Sequence, residues 1–577
     1  MEPDECRRIQ DLLQEVEEEE LVSSEDEDSE VDEVQFSDHN SESELSEEEM
    51  PVVELHDGPT YKGRDNVTTW RKHQLPRNVR TRQQNIVIHL PGVRPIGQNS
   101  NTPKECFSLI FDDTMIETIV ASTNIKIAKH SEKNKNDRST YLTSITEMNA
   151  LFGLLILSGL VKSGHQNLED LWNVHQLGID IFQTTMSLKR FKFLIRYMRF
   201  DDINTRHARR QEDKLAPIRE IFERFNHNCK QVYTVSEYCT LDEQLVPFRG
   251  RCSFRMYIPS KPAKYGLKIF TLVDARTWYI LKCEVYVGKQ NDGSFKVSNT
   301  TVDVTMRLTE PIHRSGRNLT IDNWFTSFPL AELLLQQNVT MVGTMKKNKK
   351  ELPPELLAKG RPEKSSVFAY QNNKTVVSYV PKKNKNVVLL STMHLEDGTI
   401  DETTGEDSKP EIITFYNMTK GGVDVVDKLC STYSTARKTN RWPLVLLFRI
   451  LDLASVNSYV VFQGNNPQSK MNRKSFLQEL GFTLVAQQVQ TRATQMRLPK
   501  EIRQRAAKRA KMDNAIAPAV PPNPGQRSRC TVCPRKNDMK VKTTCFKCNK
   551  YMCNKHMKTV CEPCLAPAEN TSSDSDY

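Results

Sequence analysis

Residues 319–327 read LTIDNWFTS. Leu319, Thr320 and Ile321 suit a buried strand, and the pattern stops at Asn323-Trp324-Phe325, directly after Asp322. A carboxylate buried without a partner costs several kcal/mol. An acid carried to the end of such a strand therefore calls for a partner elsewhere in the chain.

Outward from this stretch, the period of the apolar residues defines a sheet with intervening helices. YCTLDEQLVPF (238–248), LKIFTLVDA (267–275) and WYILKCEVYVG (278–288) are rich in β-branched and aromatic residues, the mark of strands. A helix is expected at about 299–309, before the strand of the opening quotation. A second helix, PLAELLLQQN (329–338), leads to the strand VTMVGTMK (339–346). Three strands, helix, strand, helix, strand is a ribonuclease H-like order.

In such a sheet the first and fourth strands are neighbours, which sets Asp242, in the first, beside Asp322. Two carboxylates about 4 Å apart repel by roughly 4 kcal/mol at an effective dielectric of about 20. Mg²⁺ removes that penalty and keeps coordination positions for water and phosphate oxygens. TKGGVDVVDKL (419–429) supplies further acids: Gly421 and Gly422 permit a tight entry to a helix whose first turn bears Asp424 and Asp427 on one face. Asp242, Asp322, Asp424 and Asp427 are the expected catalytic acids, the first three as Mg²⁺ ligands. Two ions per site are expected, one activating a water or 3′-hydroxyl and one stabilising the leaving oxygen. Strand alternation assigns Glu243 to the other face, as a structural residue.

Basic residues crowd the same segments. FRGRCSFRMYIPSKPAKYGLK (248–268) contributes Arg249, Arg251, Arg255, Lys261 and Lys264; MKKNKK (345–350) adds Lys346 and Lys347; ARKTNRW (436–442) adds Arg437, Lys438, Arg441 and Trp442. All are candidate DNA contacts, of the kind that gives affinity rather than sequence choice; Trp442 fits base stacking and a core position equally. Residues 1–50 carry 22 acidic and 2 basic side chains, so the remaining chain holds 79 basic against 50 acidic, or +29. That balance points to a polyanion partner. The acidic start has no signal-peptide pattern, and the apolar stretches at 150–161 and 443–462 are too short or carry Arg449 and Asp452, so neither export nor a membrane partner is expected.

Seven of the fourteen cysteines lie between Cys530 and Cys564. The pairs Cys530/Cys533, Cys545/Cys548, Cys553/His556 and Cys561/Cys564 each enclose two residues, giving eight ligands and two Zn²⁺ sites per chain. A cross-brace is expected, with the first and third pairs on one zinc and the second and fourth on the other. Upstream, KEIRQRAAKRAK (500–511) is a basic helical stretch suited to nuclear import or DNA-backbone contact.

TLDEQLVPFRGRCSFRMYIPSKPAKYGLK (240–268), LTIDNWFTS, NMTKGGVDVVDKLCSTYSTARKTNRWP (417–443) and the Cys/His-rich end together resemble the piggyBac transposases, from about residue 105 to Cys564. The resemblance implies a DDE/D-type transposase whose catalytic acids match Asp242, Asp322 and Asp424, with Asp427 in the same motif. It implies DNA cleavage at transposon ends through hairpin intermediates, joining at TTAA sites, terminal-repeat binding by the zinc domain, a homodimer, and a nuclear location. The alternative is a domesticated nuclear DNA-binding descendant without transposition.

The expected fold class is multidomain α/β: a ribonuclease H-like catalytic core split by an insertion domain, flanked by an all-helical dimerisation and DNA-binding domain, with a small C-terminal cross-brace zinc domain. The expected boundaries are a disordered arm (1–104), a first helical segment (105–237), a first core segment (238–349), the insertion (350–410), a second core segment (411–436), a second helical segment (437–511), a linker (512–529), the zinc domain (530–564) and a disordered tail (565–577).

Overall fold

The computed structural model describes residues 34–36, 59–74, 85–133, 140–173, 178–395, 398–513, 527–537, 539–543 and 551–557. Two compact units divide the chain, residues 1–487 and 488–577.

The first unit is organised by a mixed sheet of 12 strands. From the N-terminal arm come β1 (Val34–Phe36), β2 (Thr60–Lys62) and β3 (Thr69–Arg71). A separate two-stranded pair joins β4 (Gly92–Val93) to β5 (Tyr233–Thr234). The large sheet continues with β6 (Tyr238–Pro247), β7 (Arg255–Tyr257), β8 (Tyr265–Asp274), β9 (Ile280–Val285), β10 (Asn318–Ile321) and β11 (Thr340–Thr344). It is completed by β12 (Ser366–Gln371), β13 (Lys374–Lys382) and β14 (Lys385–Ser391).

At its centre, β6 runs antiparallel to β8 and parallel to β10, and β10 runs parallel to β11. β9 pairs antiparallel with β8. Parallel neighbours need crossovers, and the helices Thr301–Thr309 and Phe328–Gln336 lie in the two connections into β10 and β11. Their starts are capped by Thr300 and Ser327, whose side chains accept backbone N–H bonds.

Within residues 350–410, β14 pairs antiparallel with β11, so β14, β13 and β12 extend the same sheet. One expectation changes here: the arm before residue 104 is not without structure throughout. β2 and β3 form a hairpin that pairs with β12 through Arg71 and Tyr370. Trp70 is fully buried, packs on Phe328 at 5.4 Å and donates from Nε1 to the Glu351 carbonyl at 2.9 Å. An isolated hairpin is marginal in water; a sheet edge and a buried indole stabilise this one.

Segments far apart in sequence meet in the helical layer. The helices Pro103–Ile110, Arg219–Val232 and Trp442–Asn465 pack together. Gly153 and Gly481 let two helices approach closely: a Cβ on Gly153 would stand 2.8 Å from the Gly481 carbonyl oxygen. Buried Asn457 links Trp442–Asn465 to the sheet, accepting from the Ile280 N–H and donating to the Ile280 carbonyl, both at 2.8 Å. The apolar length of Trp442–Asn465 matches a core role, with 78% of its most apolar window buried.

In the second unit, the expected basic helix spans Lys500–Asp513 and precedes a small hairpin, Ser528–Arg529 with Lys540–Val541.

Candidate active site

Register brings the first two acids together. Ile321 on β10 lies opposite Leu241 on β6, so Asp322, the next residue, falls beside Asp242. The strand ends there for a local reason: Asp322 Oδ1 accepts the N–H groups of Trp324 (3.0 Å) and Phe325 (3.4 Å), turning the chain sharply. Asp322 thus satisfies part of its own carboxylate while facing a second one.

A third acid joins them. Asp242, Glu243 and Asp322 each offer a carboxylate oxygen within 4.8 Å of the others. Glu243 is therefore not merely a structural residue of the far face. Alternation fixes where a Cβ points, but a glutamate has two further carbons with which to reach back. Burial, then the charges of Glu243 and Asp322, push the Asp242 carboxyl well above the usual range, with Lys261 opposing. Lys261 Nζ stands 3.4 Å from the Glu243 carboxylate. Burial works against its charge, but Glu243, Asp242, Asp424 and Asp427 outweigh it and hold the ammonium above its ordinary value.

Lys268 is the second cation of the site and is almost fully buried. Its ammonium lies 4.7 Å from the Trp324 ring and 4.8 Å from the Phe270 ring, and those rings stack on each other. Burial lowers its pKa, against the pull of Glu243, Asp322 and Asp242.

Asp424 sits in the first turn of the helix Gly422–Thr432, exposed and outside the 4.8 Å group. Its charge nonetheless reaches the same place: burial raises Tyr416 to about 12, and Asp322, Asp242 and Asp424 all contribute. Gly422 permits the approach of this helix to the sheet, since a Cβ there would meet Thr240 Oγ1 at 3.0 Å. Asp427, on the same helix, is paired with Arg449, which also donates to Gln244 Oε1 at 3.4 Å, while its charge still reaches Lys261 beside the acids.

The candidate DNA contacts divide. Arg249, Arg251, Lys264 and Lys438 are exposed, and Lys346 and Lys347 are half-buried. Arg255 braces its own hairpin, donating to the carbonyls of Arg249 (2.8 Å) and Gly250 (2.7 Å). Three candidates are turned inward. Arg441 donates to the carbonyls of Ile195 (3.1 Å), Arg196 (3.0 Å) and Met198 (2.6 Å) at the end of the helix Leu188–Tyr197, sharing the last two with Arg199. Arg437 donates to the Ser163 carbonyl and hydroxyl. Trp442 is 2% exposed and packs edge-on against Phe254 at 4.9 Å, so the core reading of this tryptophan holds.

Among the eight expected zinc ligands, Cys545, Cys548, Cys561 and Cys564 lie outside the described residues. Cys530, Cys533, Cys553 and His556 converge: the three sulfurs lie 3.3–3.5 Å from His556 Nδ1, and Cys533 and Cys553 are 3.7 Å apart. A tetrahedral zinc with bonds of about 2.3 Å to sulfur and 2.05 Å to nitrogen requires edges of about 3.6 Å and 3.8 Å. The cluster can therefore bind zinc, in the pairing of first with third.

The family described as "Transposase IS4" matches residues 102–459. A human protein named "PiggyBac transposable element-derived protein 3" is 23% identical over 371 residues, 61% of this chain and 60% of that protein. The human "Chimeric ERCC6-PGBD3 protein" aligns equally well but over 33% of its length. The chain thus spans less than two thirds of the length of these curated relatives. A solved structure, "Cryo-EM structure of piggyBac transposase synaptic complex with hairpin DNA (SNHP)", is 35% identical with a TM-score of 0.69, covering 83% of this chain and all of that one.

Proposed function

This chain belongs to the piggyBac-type transposase family, and from that premise we propose that it cuts and joins DNA at transposon ends by metal-dependent phosphoryl transfer. The observation that carries the proposal is the convergence of Asp242, Glu243 and Asp322 within 4.8 Å. Three carboxylates so close, one with its pKa pushed up by burial and by the other two, are the donor set of a hard divalent cation.

Asp242, Asp322 and Glu243 would hold Mg²⁺, with Asp424 completing the rim. Bound there, Mg²⁺ supplies charge neutralisation and activation of a water or 3′-hydroxyl toward the scissile phosphate. Lys261 keeps a positive charge beside the acids and orients Glu243. Lys268, with Trp324 and Phe270, walls the site with buried apolar surface and excludes water from its inner side. Exposed Arg249, Arg251 and Lys264 draw the DNA backbone to the mouth.

The sheet then serves as a ribonuclease H-like nuclease core. Hairpin intermediates, integration at TTAA, a homodimer, two zinc ions per chain, terminal-repeat recognition by the zinc unit and a nuclear location complete the proposal. The intact acids favour this reading over a non-transposing descendant.

The test is cleavage of DNA bearing the cognate element ends, with Mg²⁺, by wild type and Asp322→Asn. Wild type nicks and forms hairpins, and the variant loses at least a hundredfold in rate. Equal rates in both proteins, or no cutting by wild type on cognate ends, overturn the assignment.

A further inference from the structure

We propose that a cleft at the far end of β10 from Asp322 is a second, non-catalytic site for a phosphate group. Asp322 lies five residue steps along extended chain from Arg317, about 16 Å at ~3.3 Å per step. A cavity of about 200 Å³ there is lined by His89, Arg94, Lys230, His313, Arg314 and Arg317. It shares His89, Arg94 and Thr234 with a neighbouring cavity of about 490 Å³. Among the described residues no carboxylate lines either one; Glu310 stands close by, paired with Lys230.

The cleft is built rather than incidental. Buried Arg317 ties three segments into its floor, donating to the carbonyls of Val235 (2.7 Å), Ser236 (3.0 Å) and His89 (3.1 Å). Gly316 has φ +72°, and a Cβ there would stand 1.8 Å from the Ile86 carbonyl oxygen, so the wall closes only on a glycine. Arg94 is oriented by its Nε bond to Thr234 Oγ1 at 3.0 Å.

Arg314 is exposed, is held at φ +57°, and its guanidinium makes no hydrogen bond among the described residues. Lys230 is paired with Glu310 at 2.8 Å. Several cationic donors from separate segments around one small cavity match the oxygens of a phosphate better than a single carboxylate fork. The chemistry is shared by two sources, the backbone of bound DNA and a small free polyphosphate. Only the DNA arm rests on the transposase reading.

Arg314→Asn removes a charge while asparagine accepts the left-handed backbone, and Arg94→Gln is the second variant. Unchanged thermal midpoints in chloride establish that both fold. For duplex DNA, the slope of log K against log salt is expected to fall by about 0.9 per charge removed, identifying the DNA backbone as the source. Inorganic pyrophosphate at matched ionic strength is expected to raise the wild-type midpoint, with the rise lost in both variants. Loss of that rise with an unchanged DNA slope identifies a small phosphate ligand at the same site. An unchanged slope together with unchanged pyrophosphate stabilisation overturns the proposal, whatever the cleavage assay shows.

Discussion

Asp322→Asn is expected to stabilise the metal-free protein while abolishing its response to Mg²⁺. Carboxylate oxygens of Asp242 and Asp322 lie within 4.8 Å, and two charges at that distance repel by about 3.5 kcal/mol at an effective dielectric of ~20. Lys261, 3.4 Å from Glu243, offsets part of this, and partial protonation of Asp242 offsets more. A net gain of about 1–2 kcal/mol remains. Asparagine keeps the Oδ1 that accepts from Trp324 and Phe325, so the turn survives.

The pH dependence has a definite sign. The folded pKa of Asp242 lies above its unfolded value, so its contribution is fully present below the ordinary carboxylate range and is lost as pH rises through the raised pKa. The variant, lacking one cause of the shift, should gain on wild type as pH rises. Thermal unfolding across that range, with and without Mg²⁺, reads both effects. A destabilised metal-free variant whose midpoint still rises with Mg²⁺ as much as wild type's would refute the reasoning.

Arg441→Gln should cost about 2 kcal/mol by leaving the Ile195 carbonyl unserved, since Arg199 still donates to the carbonyls of Arg196 and Met198, and should not change the salt slope of DNA binding; denaturant titration and a binding series at several salt concentrations check the two halves. Arg449→Met should cost about 2 kcal/mol, discounted because the Asp427 side chain is 37% exposed. A double-mutant cycle with Asp427→Asn should show favourable coupling, whereas additivity would refute the pairing. Chelating zinc should abolish hydrogen-exchange protection of the Cys530 amide, which donates to the Met539 carbonyl, and leave the main thermal transition of residues 1–487 in place.

The central topology was legible because β6, β8, β9, β10 and β11 each announce themselves locally in β-branched and aromatic residues, whereas the short β7 lies hidden in a stretch that reads as basic. The Asp242–Asp322 pairing then follows from register alone. Side-chain reach was not legible: alternation spoke for the Glu243 backbone and said nothing of its carboxylate. The inward arginines were hidden for a related reason. A run such as ARKTNRW reads as surface charge, and only the fold reveals the carbonyls of Ile195 and Met198 waiting for Arg441. β2 and β3 escaped because a short polar hairpin draws its stability from β12, about 300 residues away in sequence. Trp70 was the one signal there, a large aromatic directly after the β-branched Val67, Thr68 and Thr69.

Anomalous diffraction from crystals equilibrated with Mn²⁺ tests the central claim most directly. The account predicts a peak bonded to carboxylate oxygens of Asp242 and Asp322, within reach of Glu243. A saturated crystal with no peak between those two side chains, or with its Mn²⁺ held elsewhere, would contradict it.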